Sequence, residues 1–471
     1  MDFIGREADL AFFERCYARP GAQLVFLYGR RRVGKTELLY RFSQGKPCVR
    51  YTCTKEPDAR QLRAFSGRLL AHVPSAARLV DSFSSWRQAF EHIPELDIPG
   101  KKLVLIDEFP YAVAGNAALP SILQSVWDET LSREDVMVVL CGSSIGFMED
   151  ELLSEKNPLY GRATGVWNMG PLSFQEAARF FPEYSPQEKL EAYGILGGVP
   201  HYLNQFDGSL SIGRNVCENI LTRGCALYSE ADFLLREELR EPAVYNAVLG
   251  AVAAGETELG GVASKALVES RTANTYLTRL RQLRLVDKEF SVQAGRQERS
   301  KQSRGLWRIS DNFLRFWYAA AQPYVSDLEM GGQQEVWDDF IEPNLNMLLS
   351  KPFEDVCRQW VRRLNAQGEL PFRAKSIGRW WQGADEVDVA ALGPAHAHLL
   401  GECKFTNAQV GPGVLHSLAD KESAHFPQGD GQLWLFAKSG FTPDETWAGE
   451  DLSRVRLVTP EDLCSASCAG R

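Results

Sequence analysis

Three observations predict an α/β fold whose N-terminal half carries a parallel sheet. First, Gln23-Leu-Val-Phe-Leu-Tyr28, Lys102-Leu-Val-Leu-Ile106 and Val136-Met-Val-Val-Leu-Cys141 are short, nearly continuous apolar runs, the pattern of strands covered on both faces. Second, these runs alternate with segments of helical periodicity, such as the one that begins Glu37-Leu-Leu-Tyr-Arg-Phe42, as in a doubly wound sheet. Third, each run ends in small or charged residues: Gly29 to Thr36, Asp107-Glu108 and Gly142-Ser143-Ser144. Ligands of such sheets collect at the carboxyl ends of the strands.

The first of these endings is the most specific. Gly29-Arg30-Arg31-Arg32-Val33-Gly34-Lys35-Thr36 fits G-x-x-x-x-G-K-[ST], the phosphate-binding P-loop. The two glycines let the backbone curl until its N–H groups converge on one anion, and the following helix N-terminus adds its dipole. Lys35 is expected to reach the β and γ phosphates of ATP, and the Thr36 hydroxyl to ligate Mg²⁺. The second ending reads as a Walker B pattern. There Asp107 holds the Mg²⁺ shell, and Glu108 is the catalytic residue that orients or deprotonates water. At the third, Ser143 is expected to lie between the first and Walker B strands, where it reads either as a contact to the γ-phosphate or the water or as part of a plain Gly-Ser turn. Arg162 follows a flexible segment. It reads either as a transition-state arginine, acting in cis or across a subunit interface, or as a surface arginine.

A chain of 471 residues is too long for one core, so roughly two to four domains are expected. Hydrophobic residues at 44% and charged residues at 24% are globular proportions and exclude a largely disordered chain. No apolar run is long enough to span a membrane. Residues 1–7 show neither a basic nor an apolar leader, so a cytoplasmic protein is expected. There the ten cysteines would stay reduced. No C-x-x-C occurs, and Cys464 and Cys468 have no histidine nearby with which to hold zinc. The net charge of −9 argues against a surface that wraps nucleic acid throughout. Residues 265–308 nevertheless carry eleven Lys and Arg against four Asp and Glu, a local signal for a polyanion.

Phe3-Ile-Gly5-Arg6-Glu7, the P-loop, Leu105-Ile-Asp-Glu108, Gly142-Ser-Ser144, Pro158-Leu-Tyr-Gly-Arg162 and Gly197-Gly-Val-Pro200 occur in the order of the archaeal-type ATPase family, one of the AAA+/STAND-like signalling ATPases. The resemblance covers about half the chain. It implies a P-loop core over 1–165 and a helical lid over 166–228. It also implies that Gly5, Arg6 and Pro200 lie near the nucleotide. Read from the residues alone, Gly198-Val-Pro200 is a helix-breaking turn.

Beyond the lid, helical spacing marks residues 243–254, 258–267 and 271–283. In the third, Ala273, Tyr276, Leu277, Leu280 and Leu283 form one face, while Arg271, Asn274, Thr275, Thr278, Arg279 and Gln282 form the other. Two strand patterns, 285–290 and 306–309, flank a link bearing Arg296, Arg299, Lys301 and Arg304. Three helices and a basic hairpin predict a winged helix over 229–325, used either on DNA or for packing and autoinhibition.

In residues 326–471, Phe353, Val356, Cys357, Trp360, Val361 and Leu364 predict an amphipathic helix with Glu354 at its edge. Strands follow at 386–392 and 398–405, the second with Glu402 and Lys404 on one face. Asp388 followed by Glu402-x-Lys404 resembles the PD-(D/E)xK nuclease superfamily, a restriction-endonuclease-like α/β fold. The resemblance implies a metal held by Asp388 and Glu402 with support from Glu354, and Lys404 as a catalytic residue. One departure is Val387, where that pattern has proline. His396-x-His398 reads as structural or solvated.

The fold expected is therefore α/β: a P-loop NTPase parallel sheet with a helical lid, a winged helix, and a C-terminal restriction-endonuclease-like domain. The function expected is ATP hydrolysis with Mg²⁺ that controls a C-terminal effector facing nucleic acid, DNA rather than RNA, with Mg²⁺-dependent cleavage as its output. The alternatives are an ATP-switched DNA-binding regulator whose nuclease-like domain is inactive, and a signalling ATPase that forms homo-oligomers.

Overall fold

The computed structural model describes residues 3–152, 154–155, 157–239, 241–295, 305–428, 431–448 and 450–465. They form two compact units, Met1–Pro171 with Val199–His201, and Leu172–Gly198 with Tyr202–Arg471.

The first unit is built on β1 (Gln23–Tyr28), β2 (Cys48–Thr52), β3 (Lys102–Asp107), β4 (Val136–Gly142) and β5 (Gly165–Asn168), in the order β2-β3-β4-β1-β5. All its pairings are parallel. β4 lies between β1 and β3, as Ser143 requires. Every residue of β1 and β4 is buried, because helices cover both faces. The strand period of two divides the core. Leu24, Phe26, Val104, Ile106, Val138 and Leu140 pack on one side. Val25, Leu27, Leu103, Leu105, Val139 and Cys141 pack on the other. The helices used below are α1 (Glu7–Ala18), α2 (Lys35–Phe42), α3 (Asp58–Leu70), α4 (Phe109–Gly115) and α5 (Leu119–Glu129).

The second unit opens with short helices, among them α6 (Pro186–Leu196), started by a Ser185–Glu188 capping box. Then come α7 (Pro242–Ala253), α8 (Leu259–Lys265), α9 (Ser270–Gln282) and the antiparallel ribbon β6 (Val286–Glu289) and β7 (Leu306–Ile309). α8 stops two residues short of expectation because Leu267 turns left-handed at φ 55°. Ala273, Leu277 and Leu280 of α9 are buried, while Arg271, Asn274, Thr275, Thr278 and Gln282 are exposed. Arg279 is half-buried. The basic link residues Arg296, Arg299, Lys301 and Arg304 lie outside the described residues.

A second sheet, β12-β11-β10-β9-β8, joins β8 (Ser376–Gln382), β9 (Asp385–Leu392), β10 (His398–Lys404), β11 (Gly431–Ala437) and β12 (Val455–Val458). It is mixed: β8-β9-β10 antiparallel and β10-β11-β12 parallel. Helices α10 (Leu345–Gln367) and α11 (Pro412–His425) pack on it. The predicted face of α10 is 0–2% exposed throughout, which stabilises by about 1.5–3 kcal/mol per large side chain. The helix begins eight residues earlier than the apolar spacing showed and runs through Pro352.

The ribbon is anchored to this sheet. Val292 donates its N–H to Arg379 O at 2.8 Å and joins the core of Trp380 and Val387. Arg308 of β7 pairs with Asp355 of α10 at 2.7 and 3.0 Å. Arg358 reaches the same carboxylate at 2.7 Å, and Arg315 lies 3.6 Å away. Although burial works against its charge, the three guanidiniums hold the Asp355 carboxyl well below the ordinary carboxylate range.

Candidate functional site

The loop between β1 and α2 forms the tight curl that its glycines permit. A Cβ on Gly29 would meet Met169 O at 2.2 Å, so only glycine fits. Arg32 and Gly34 are left-handed at φ 68° and 98°, which turns successive N–H groups inward. Lys35 is buried and donates to Gly29 O at 2.8 Å and Arg30 O at 3.0 Å, folding its ammonium into the curl. Burial lowers its pKa, against which Glu108 and Asp107 act. The Thr36 hydroxyl donates to Asp107 Oδ2 at 2.7 Å, although 71 residues separate the two in sequence. Asp107 Oδ1 accepts the Glu108 N–H at 2.9 Å. Glu108 itself sits in the left-handed region at φ 51°, and its carboxylate accepts a hydrogen bond from the Ser143 hydroxyl. The four predicted residues Thr36, Asp107, Glu108 and Ser143 thus form one connected cluster. A hydroxyl beside a carboxylate is an oxygen donor pair that suits Mg²⁺.

The other expected nucleotide contacts divide. Pro200 is near the loop, since a Cβ on Gly34 would lie 4.0 Å from Pro200 Cγ. Gly5 is left-handed at φ 72° and leads into Arg6, which is buried and donates to Val33 O and Gly170 O, both at 2.8 Å. Arg6 therefore braces the P-loop backbone. Arg31 donates to the Tyr111 hydroxyl of α4 at 2.9 Å. Arg162 is held by Asp128 of α5 at 2.9 and 3.2 Å, and by the carbonyls of Pro158 and Tyr160. Of the two readings of Arg162, the pose seen is that of a surface arginine in an ion pair.

In the second unit, α10, β9 and β10 bring Glu354, Asp388, Glu402 and Lys404 to one corner. Asp388 is buried and accepts the Cys403 N–H at 3.0 Å. Its carboxyl is raised by burial and by the charge of Glu402. Glu354 is buried too; burial and then Asp388 push its carboxyl up to about 7. Its Oε2 accepts no hydrogen bond among the described residues and lies 3.6 Å from Arg358. Lys404 donates to Glu402 at 2.8 Å. That bond keeps its ammonium above the ordinary range despite burial. Among the described residues no three His, Cys, Asp or Glu side chains are grouped so as to hold a metal. Both Glu402 oxygens are taken by lysines, Lys404 and Lys421, the latter at 3.2 Å. His398 is structural, buried against Glu422 at 2.8 Å.

Two residues of this corner were missed. Arg358 donates to Asp388 O at 2.6 Å, and Lys421 comes from α11. Arg358 stands four residues after Glu354, one helical turn on, and that spacing is a signal that was legible. Lys421 had no sequence signal.

A curled P-loop, a hydroxyl–carboxylate pair and a carboxylate on the next residue, set at the ends of parallel strands, define a P-loop NTPase. Residues 3–206 match the family described as an ATPase domain predominantly from Archaea, and residues 317–417 match a family of archaeal and bacterial proteins of unknown function, DUF234. The chain therefore carries an archaeal-type ATPase domain followed by a DUF234 domain. An uncharacterised protein of Methanocaldococcus jannaschii is 28% identical over 391 residues, 83% of this chain and 84% of that one. A short uncharacterised ATP-binding protein of the same organism is 46% identical over 48 residues, 10% of this chain and 81% of its own length. The Walker-type ATPase of Pyrococcus abyssi shares the fold, with a TM-score of 0.50 at 19% identity over 67% of this chain and 96% of that one. No described helix is long and apolar enough to cross a membrane.

Proposed function

We propose that the chain hydrolyses ATP with Mg²⁺ as an AAA+/STAND-like switch, and that its nucleotide state controls a C-terminal effector acting on DNA. The observation that carries the first part is the Thr36–Asp107 bond at 2.7 Å beside the Ser143–Glu108 pair. In this reading Gly29 to Thr36 cradle the phosphates and Lys35 leaves its carbonyl partners for them. Thr36 and Asp107 hold Mg²⁺, which neutralises phosphate charge when bound. Glu108 accepts the proton of an attacking water, and Ser143 holds Glu108 until it does. Gly5, Arg6 and Pro200 shape the nucleotide's surroundings, Arg6 through the loop it braces. Turnover of radiolabelled ATP by wild type, Lys35→Ala and Glu108→Gln tests this part, and unchanged turnover in Glu108→Gln removes Glu108 from the reaction.

For the effector we propose the four-part scheme 1–165, 166–228, 229–325 and 326–471, with a winged helix third and a nuclease-like domain last. Cleavage would use Asp388 and Glu402, with Glu354, on a divalent metal, and Lys404 on the phosphodiester. The raised carboxyls of Asp388 and Glu354 support it, because buried carboxylates that repel one another favour a cation. A second reading, a domain that binds without cutting, is favoured by Lys404 and Lys421 occupying Glu402. Incubation with Mg²⁺, ATP and single- and double-stranded DNA separates the two. Cleavage lost in Asp388→Ala supports the nuclease, and binding without cleavage supports the second reading.

A further inference from the structure

A cleft of about 580 Å³ opens from the Thr36–Asp107 pair along the free edge of the first sheet. Its floor is set by register: Thr52, the last residue of β2, stands opposite Asp107 of β3, and the Cys53 N–H is bonded to Asp107 O at 2.8 Å. The β2–α3 loop forms one wall, with Thr54 and Glu56 exposed. Arg50 of β2 and Arg68 of α3 enter the cleft from the sheet edge and the helix, and both are exposed. Arg50 makes one weak bond, to Ser43 Oγ at 3.5 Å, and lies over the Tyr40 ring at 5.3 Å. Arg68 has no hydrogen bond or ion pair among the described residues. Tyr40, also in the lining, remains 49% exposed.

Two guanidiniums without carboxylate partners among the described residues, beside hydroxyls and a half-exposed aromatic ring, match a nucleoside phosphate in each of its parts. Guanidinium forks bind phosphate oxygens in pairs, and an exposed tyrosine face stacks a base. A plain carboxylate would use the arginines and leave the ring unused. The position also matters. A phosphate on Arg50 and Arg68 lies in the same cleft as the Thr36–Asp107 pair, so its charge is felt at the hydrolytic site.

We propose that this cleft binds a nucleoside phosphate, either one unit of a nucleic-acid strand or a free mononucleotide, as a second ligand beside the ATP site. The proposal rests on the ATP reading only for its neighbour. Lys35→Ala tests that reading separately, because it removes ATP binding and leaves Arg50 and Arg68 in place.

The experiment uses the full chain saturated with a non-hydrolysable ATP analogue at low salt. One arm titrates a fluorescein-labelled oligo-dT strand by anisotropy, and the other titrates AMP and TMP by calorimetry. Binding of the strand or of a mononucleotide, weakened about tenfold or more in Arg50→Ala/Arg68→Ala, supports the site and names its source. For a strand, the slope of log affinity against log salt should also fall by roughly 1.4, for two lost phosphate contacts. Tyr40→Ser should weaken the same ligand, and the α9 variant Arg271→Ala/Arg281→Ala should not. If neither probe binds, or if binding is untouched by the Arg50/Arg68 variant, the proposal is overturned. Arg68→Glu, a single change at an exposed position, serves as the second variant, and unaltered binding in it counts equally against the site.

Discussion

Asp355→Ala should loosen the second unit by about 3–5 kcal/mol, the cost of removing one partner from a buried charge cluster. The structure locates that cost. Asp355 accepts from Arg308 at 2.7 and 3.0 Å and from Arg358 at 2.7 Å, with Arg315 at 3.6 Å. The Arg358 side chain is 3% exposed and that of Arg315 is 14%, so neither can turn to water. Arg308, at 32%, is partly solvated, and its share is at most about 1 kcal/mol. After the change Arg358 keeps Asp388 O and a distant Glu354, which do not replace a full carboxylate. Asp355→Asn retains one acceptor and should cost less, about 2 kcal/mol. Bulk unfolding of a multidomain chain is not two-state, so the assay is native-state hydrogen exchange on α10 and β7. A loss of 3–5 kcal/mol speeds exchange there by roughly 10²–10⁴. If the α10 amides of Asp355→Ala change by less than about tenfold, the cluster is not what holds the ribbon to the sheet.

The remaining predictions concern the nucleotide site. Lys35→Ala should abolish tight ATP binding, read by fluorescent-nucleotide titration, since it removes the ammonium held at the Gly29 and Arg30 carbonyls of the curl. Glu108→Gln should bind ATP normally and lose about 10²–10⁴ in kcat, measured by phosphate release. Gly29→Ala should lose ATP binding while unit folding persists by circular dichroism, because its Cβ would lie 2.2 Å from Met169 O. His201 has a lowered pKa through burial and then Arg32. Its contribution to stability is complete above the unfolded value near 6.5 and is lost as pH falls through the lower folded value. His201→Gln should flatten that acid-side loss, read by native-state hydrogen exchange in the first unit between about pH 7 and 5, and an unchanged profile would remove His201 as its source.

Legibility tracked locality. The P-loop was readable because its chemistry lies in eight consecutive residues with a strand before and a helix after. Asp107 was readable because a buried strand announces its own end. The Ser143–Glu108 bond needed the strand order, which the sequence suggested and the sheet supplied. The two readings of Arg162 stayed open because Asp128, its partner, lies 34 residues away on α5. The early start of α10 was hidden by Pro352, whose local meaning is a break and whose cost is offset by the buried face that follows. The lysines on Glu402 were half hidden, because one of them, Lys421, lies 19 residues away on α11.

By itself the sequence determined the nucleotide chemistry, the alternation of strands and helices, and which faces of α9 and α10 are apolar. These follow from covalent neighbours and from side-chain periods of two and 3.6. Only the tertiary structure decided the partners of charged groups: Arg6 on the P-loop backbone, Asp128 on Arg162, three arginines on Asp355, and two lysines on Glu402. The reason is physical. Burial is encoded by patterns along the chain, whereas a charge is satisfied by whichever opposite group the fold brings within about 3–4 Å, and that distance has no counterpart in sequence.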